Sequence, residues 1–235
     1  MKETLHPVLR NLKAVLFDVG GTLIHPDWLR LGKLVETETG MYFTPQQMHD
    51  AFYGMLKVVD AELKAGVNSK SARGVHWVFL DTFRSLGIDE LKCMSIRRQF
   101  TIAHDERHLW CVADSEASKV LHALQSAGLR IAVISNTEDG RVTESLALAN
   151  LASYFEFVID SHTVGCSKPD KAIFQFALDQ FGLDADEAAY VGDSYGYDVI
   201  GARRAGLHPI LLDRTDSYES EVGLTRIRRL SELIG

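Results

Sequence analysis

Two carboxylates of the sequence follow short apolar runs, and together they could hold a metal ion. Asp18 ends the run of residues 13–18, and Asp193 comes two residues after the run of residues 188–191. Two carboxylates that meet at one place repel each other unless a cation lies between them. Carboxylate oxygens are ligands that Mg²⁺ prefers. The pair therefore predicts a magnesium site.

Hydrogen-bond donors occur at comparable places in the chain. Ser135 follows the apolar run of residues 129–134, and Lys168 lies in the loop beyond a later run. The backbone amides of Gly20 and Gly21 are further donors, directly after Asp18 and Val19. Neutral and positive donors of this kind suit the oxygens of a dianion. Together with a metal, they predict a site for a phosphoryl group.

A parallel β-sheet would bring these side chains together. Short apolar runs alternate with helix-like stretches, as is typical of buried parallel strands and their connecting helices. The predicted strands are residues 13–18, 129–134, 155–160, 188–191 and 208–212. Such alternation predicts an α/β fold with a doubly wound parallel sheet. Ligands bind beyond the carboxyl ends of such strands, where the polar residues lie.

A block of helices interrupts this alternation after the first strand. Four amphipathic stretches without an intervening strand cover residues 29–38, 45–64, 71–86 and 90–107. We therefore predict two domains. Residues 1–26 and 109–235 form the α/β core with the active site, and residues 27–108 form an inserted all-helical domain.

Composition narrows the possible partners and location. The 235 residues include 25 basic and 32 acidic side chains, a net charge of −7, which argues against a nucleic-acid partner. The absence of a long apolar run or secretory leader predicts a cytoplasmic protein without a membrane partner. We expect a monomer or homodimer with three free cysteines. The basic stretch of residues 225–229 is interpreted as the exposed start of a helix.

Four motifs in order resemble those of the haloacid dehalogenase superfamily. The first is Phe17–Leu23, which reads Phe-Asp-Val-Gly-Gly-Thr-Leu, and the second is Ile134–Asn136. The third is Ser167–Asp170, and the fourth is Val191–Ser194 followed by Asp198. The helical insertion after the first motif resembles the cap domain of this superfamily. The resemblance implies a Rossmann-type core with a helical cap.

The resemblance also implies a role for each acidic residue. Asp18 would be the nucleophile that forms an aspartyl-phosphate, which divides one difficult displacement into two easier ones. Mg²⁺ would be held by the carboxylates of Asp18 and Asp193 and by the backbone carbonyl of Gly20. Asp198 would lie behind them and order a metal-bound water or Lys168.

The remaining motif residues would hold the substrate. Lys168 would be the second catalytic residue, and Ser135 and Lys168 would bind phosphoryl oxygens and neutralise charge in the transition state. Asn136 and the Gly21 amide would contact the phosphoryl group or the substrate nearby. The implied function is a Mg²⁺-dependent phosphatase of a small phosphorylated metabolite.

One position departs from the phosphatase pattern. Phosphatases of the superfamily usually carry a second aspartate two residues after the nucleophile, as general acid and base, and Gly20 stands there in this chain. Glycine cannot transfer a proton, so its presence is expected to cost roughly a hundred- to ten-thousand-fold in rate unless another group substitutes. His25 is interpreted either as such a proton carrier or as a hinge residue of the cap linker.

The missing acid leaves other functions open. One alternative is a degenerate relative that keeps the phosphate and metal site as a binding or regulatory module. Phosphonatases and dehalogenases also lack that aspartate. The former need a lysine from the cap, and the latter do not use the metal, whereas Asp193 with Asp198 resembles a fourth motif that retains it.

Overall fold

The computed structural model describes residues 4–67 and 76–235. The chain divides into two compact units, Met1–His25 with Val112–Gly235 and Pro26–Cys111. We call them the α/β unit and the helical unit. No helix of the described ranges is long and apolar enough to cross a membrane.

The described residues contain eight strands and nine α-helices. The strands are β1 (Ala14–Phe17), β2 (Ile24–Pro26), β3 (Trp110–Ala113), β4 (Arg130–Ser135), β5 (Val158–Asp160), β6 (Ala188–Gly192), β7 (His208–Leu212) and β8 (Thr225–Ile227). The helices are α1 (Trp28–Thr39), α2 (Pro45–Lys64), α3 (Trp77–Ser85), α4 (Glu90–Glu106), α5 (Ala117–Ser126), α6 (Val142–Leu148), α7 (Ser161–Val164), α8 (Lys171–Phe181) and α9 (Ile200–Ala205).

The α/β unit is built on a six-stranded parallel sheet in the order β5-β4-β1-β6-β7-β8. The sheet confirms the predicted doubly wound α/β fold. All four residues of β1 are completely buried, because this strand has a neighbour on each side and is covered on both faces. Helix α8 packs Ile173, Phe174 and Ala177 into the same core.

The register of the central strands aligns their carboxyl ends. Phe17, the last residue of β1, lies opposite Val133 of β4 and Val191 of β6. The residues that follow these three positions are therefore delivered to one edge of the sheet. Asp18 comes first among them.

The helical unit has its own apolar core. Helix α2 begins with a capping box, in which Gln47 N donates to Thr44 Oγ1 and Thr44 N donates to Gln47 Oε1. Aromatic side chains of α3 and α4 meet edge to face, with ring centroids of Phe79 and Phe100 separated by 5.8 Å. The predicted helix of residues 71–86 is described from residue 76 onward, and α3 begins at Trp77.

Three short strands differ from the sequence prediction. The chain crosses between the units in β2 and β3, which pair with each other, although no strand was predicted there. Residues 225–227 form the edge strand β8, so the predicted helix start was wrong. The reason is tertiary, because Arg226 pairs with buried Asp213 at 2.6 Å. A π-helical turn, Tyr195–Val199, precedes α9.

Candidate active site

Lys168 is the centre of the polar cluster at this edge of the sheet. Its Nζ donates to Asp18 Oδ1 at 2.6 Å, to Asp198 Oδ1 at 2.7 Å and to the Tyr190 hydroxyl at 2.9 Å. A lysine ammonium has three N–H donors, so all three are directed at protein acceptors. The side chain is only 3% exposed. The ammonium is therefore a fixed positive charge between two carboxylates.

The loop that carries Lys168 is held by Asn136. Asn136 Oδ1 accepts from Lys168 N at 2.9 Å, and Asn136 Nδ2 donates to Lys168 O at 3.1 Å. We expected this amide to contact the phosphoryl group or the substrate. In the structure both polar atoms of this amide contact the backbone of Lys168, and the expected contact stays a prediction.

Asp193 has one carboxylate oxygen with a partner and one without. Its Oδ1 accepts from Thr22 Oγ1 at 3.4 Å. Its Oδ2 is buried and has no hydrogen-bond partner among the described residues. An unpartnered charged atom is costly in the interior of a protein. A bound cation would supply the partner that this oxygen lacks.

The donor set around that oxygen fits a hard divalent cation. Asp18, Asp193 and Asp198 each offer a carboxylate oxygen, and these oxygens lie within 4.8 Å of one another. An all-oxygen set of this kind is what Mg²⁺ prefers. The residues present therefore fit the ion that the sequence predicts.

The pKa values of these carboxyl groups show that their negative charges are unfavourable in the buried site when no cation is bound. Burial raises the pKa of Asp18 to about 6, with a smaller contribution from Asp198, although Lys168 opposes the shift. Burial and repulsion from Asp18 and Asp198 raise the pKa of Asp193 well above its usual range. A cation beside them would favour the charged forms.

The charges around Lys168 act on it in the opposite direction from burial. Burial alone would lower the pKa of Lys168, but Asp18 and Asp198 outweigh that effect and hold the pKa above its ordinary value. Asp198 also accepts from Ser194 N at 2.9 Å through its other oxygen, Oδ2. Both oxygens of Asp198 thus have donors, which suits a residue that holds Lys168.

The glycine turn after Asp18 is shaped by Asp193. A Cβ atom on Gly21 would lie 2.0 Å from Asp193 Oδ2, and Gly21 has a φ of +86°. Both facts require glycine there. The Gly21 amide donates to Ile24 O at 2.8 Å. This donor closes the turn, and its expected contact with phosphate stays a prediction.

The other predicted residues are placed as follows. Ser135 is the last residue of β4 and is buried. Gly20 pairs with Ile24 in an isolated bridge within the turn. Asp18 follows β1, and its amide donates to Val191 O at 2.8 Å.

Comparisons with known proteins identify the family. A sequence model of the haloacid dehalogenase-like hydrolases matches residues 32–212. The chain belongs to this family. The haloacid dehalogenase-like hydrolase domain-containing protein 3 of Mus musculus is 34% identical over 146 residues, which cover 62% of this chain and 57% of that protein. The chain therefore spans little more than half the length of this curated relative.

Two further similarities concern a phosphatase and a solved structure. The phosphoserine phosphatase of Thermus thermophilus is 40% identical over 99 residues, which cover 42% of this chain and 40% of that protein. The magnesium-bound crystal structure of the HAD-hydrolase YfnB from Bacillus subtilis has a TM-score of 0.70 and 17% identity, across 95% of this chain and 97% of that one. This structural likeness shows a shared fold.

Two groups of residues in this haloacid dehalogenase-like hydrolase were missed by sequence reasoning. Tyr190 lies inside β6, and the signal for it was a hydroxyl in an otherwise apolar buried strand. Asp114 follows β3 and lies 3.1 Å from His25 Nε2 and 2.7 Å from Arg214. Arg214 also donates to the Thr22 carbonyl at 3.3 Å. No local sequence pattern indicated these contacts of Asp114, because the residues that form them are distant in sequence.

Proposed function

We propose that this hydrolase is a Mg²⁺-dependent phosphatase that acts on a small phosphorylated molecule through an aspartyl-phosphate on Asp18. The observation that carries the proposal is the unpartnered Oδ2 of Asp193, in a cluster of three carboxylates around one lysine. The phosphatase name of the Thermus relative supports the same reaction class. Dehalogenation is disfavoured, because such a metal site would have no use in it.

The proposed roles follow from charge and position. Asp18 attacks phosphorus through a carboxylate oxygen, and Lys168 favours the ionised nucleophile because its ammonium lies 2.6 Å away. Asp18, Asp193 and the Gly20 carbonyl are the proposed ligands of Mg²⁺, which would supply positive charge for the phosphoryl oxygens. Ser135 is proposed to donate to one of those oxygens.

Two positioning roles complete the proposal. Asn136 and Asp198 position Lys168, the first through its backbone and the second through its ammonium. Neither role requires the residues concerned to touch phosphorus.

Phosphate release from a panel of small phosphate esters, acyl phosphates, phosphonates and haloacids tests the proposal. The full chain is assayed with Mg²⁺ and with EDTA, beside Asp18→Asn. Release that needs both Mg²⁺ and Asp18 is expected. Asp213→Asn is a matched control, because Asp213 is an equally buried carboxylate of the same unit that is outside the cluster. Halide release, or activity retained by Asp18→Asn, would contradict the proposal.

A further inference from the structure

We propose that the site favours phosphoryl donors whose leaving group is a weak base, acyl phosphates above all, and that Asp18 then remains phosphorylated for long periods. This inference rests on the proposed function and specifies its substrate class. The observation that supports it is that several polar hydrogens of the active site are already donated to other residues. The polar side-chain hydrogens of Lys168, Tyr190 and Thr22 each have a protein acceptor.

Gly20 replaces the aspartate that the resemblance to phosphatases implies as the general acid. Position 20 is the second residue after the nucleophile and has no side chain. The adjacent hydroxyl, on Thr22, donates to Asp193 Oδ1. The turn after Asp18 therefore supplies no acidic side chain.

Lys168 and Tyr190 do not replace it. The three N–H groups of Lys168 go to Asp18, Asp198 and Tyr190, and two of these acceptors are carboxylates that stabilise the protonated amine. The Tyr190 hydroxyl donates to the Ile134 carbonyl at 3.1 Å. Both groups are buried, and their hydrogens are donated to other residues of the site. Neither has a proton to give to a leaving group.

His25 is held by a different set of contacts. Its Nε2 lies 3.1 Å from Asp114 Oδ2. Asp114 also accepts from Arg214 and from the Glu116 amide, at 2.7 and 2.9 Å. These contacts tie His25 of β2 to the residue that follows β3.

A phosphoryl transfer without an acid selects its leaving group. An Asp18 oxygen bonds to phosphorus while the bond from phosphorus to the acyl oxygen breaks, and the carboxylate departs with the electron pair and needs no proton. A carboxylic acid has a pKa of about 4. An alkoxide leaving group resembles hydroxide, which is a far stronger base than a carboxylate. The first leaves readily as an anion, whereas the second requires a proton in the transition state.

The second step is slowed because position 20 also lacks a base that would accept a proton from the attacking water. Water bonds to phosphorus, the bond between phosphorus and the Asp18 oxygen breaks, Asp18 leaves as a carboxylate, and the proton of water goes to the phosphate product. The usual aspartate at position 20 would accept that proton during the attack. Its absence is expected to slow hydrolysis by roughly a hundred- to ten-thousand-fold. The aspartyl-phosphate should then accumulate.

The experiment compares acetyl phosphate with glycerol phosphate, both with Mg²⁺, on the full chain and on Gly20→Asp. Gly20 is not among the described glycines with positive φ, the backbone conformation that would disfavour aspartate. We expect kcat/KM for acetyl phosphate to exceed that for glycerol phosphate by at least about a hundred-fold in the parent chain. Intact-mass spectra should show one added phosphoryl group on the parent and none on Asp18→Asn.

Gly20→Asp should raise turnover of the alkyl ester by roughly a hundred- to ten-thousand-fold and abolish accumulation of the phosphorylated protein. If this variant fails to fold, aryl phosphates of graded leaving-group pKa give the same information on the parent chain. Their kcat/KM should fall steeply as that pKa rises. A flat dependence would overturn the inference.

Other outcomes separate the two proposals. Equal turnover of acetyl and glycerol phosphate by the parent leaves the phosphatase proposal standing and overturns the inference. Efficient alkyl ester turnover that is lost in His25→Gln also overturns it, because His25 would then be the acid. If neither acetyl phosphate nor glycerol phosphate reacts with a folded parent chain in Mg²⁺, the proposed function is contradicted, and so is the inference that rests on it.

Discussion

Replacing the proposed nucleophile should stabilise the metal-free protein. In the absence of a cation, burial raises the pKa of Asp18 from 3.8 to about 6, so the ionised carboxylate is disfavoured in the folded state. At about 1.4 kcal/mol per pH unit, this difference corresponds to about 3 kcal/mol. The Asp18→Asn variant carries no charge at this position. Above pH 6 we expect it to be more stable than the parent by up to about 3 kcal/mol.

The dependence on pH has a definite sign. A carboxyl group whose pKa is raised by folding contributes stability that is present below pH 3.8 and is lost as the pH rises through about 6. The advantage of Asp18→Asn should therefore be about 3 kcal/mol at pH 7.5 and about half of that at pH 5. Mg²⁺ should reduce it further at pH 7.5, because the ion stabilises the parent that binds it.

The assay must follow the α/β unit. All three tryptophans, Trp28, Trp77 and Trp110, belong to the helical unit, so their fluorescence reports mainly on that unit. Amide hydrogen exchange of β1 in EDTA, at pH 7.5 and pH 5 after correction for the intrinsic rate, reports the opening free energy of the sheet. Equal or faster exchange in Asp18→Asn at pH 7.5 would refute the electrostatic reasoning.

Asp213→Asn is the matched control for this measurement. Asp213 accepts from Ser217 N at 2.8 Å, from Tyr218 N at 2.9 Å and from Arg226 at 2.6 Å. Each donor compensates for the burial of its charge, in contrast to the repulsion around Asp18. Neutralising Asp213 should therefore cost about 1–3 kcal/mol. A gain in stability from both substitutions would mean that any buried charge is unfavourable here, independent of the cluster.

Three further substitutions test the site. Asn136→Ala removes two hydrogen bonds to Lys168 and should cost about 1–3 kcal/mol in urea unfolding while lowering kcat more than it changes KM; an unchanged kcat would contradict its positioning role. Asp193→Ala should weaken Mg²⁺ binding at least about tenfold in calorimetry, and parental affinity would exclude this ligand. Gly21→Ala places a methyl group against Asp193 and should weaken Mg²⁺ binding and lower the melting temperature, and parental values for both would contradict the close approach.

The fold class followed from the sequence because the central strands leave a simple pattern. Strands β1 and β6 are buried at every residue, so each reads as a continuous apolar run followed by polar residues. The short strands left no comparable signal. Residues 225–227 are threonine, arginine and isoleucine, and Arg226 is accommodated in this strand by its ion pairs with Asp213 and Asp216. A local pattern cannot contain that information.

The candidate site was likewise predictable only in part. The types of residue at the strand ends indicated a phosphoryl and metal site, because position after a strand is a property of local sequence. The hydrogen-bond partners of those residues were not accessible in this way. Lys168 is separated from Asp18 by 150 positions and from Tyr190 by 22, and Asn136 is 32 positions from the loop that it holds.

A charge count connects the stability of the cluster with its chemistry. Asp18, Asp193 and Asp198 carry three negative charges when ionised, and Lys168 carries one positive charge, which leaves two negative charges in a buried site. A buried excess of this size must be met by protons or by a cation. In the metal-free protein, burial and the repulsion within the cluster raise the pKa values of Asp18 and Asp193. A divalent cation would balance this excess without protonating Asp18, so the arrangement that disfavours the metal-free fold is also the one that would keep the proposed nucleophile ionised with the ion bound.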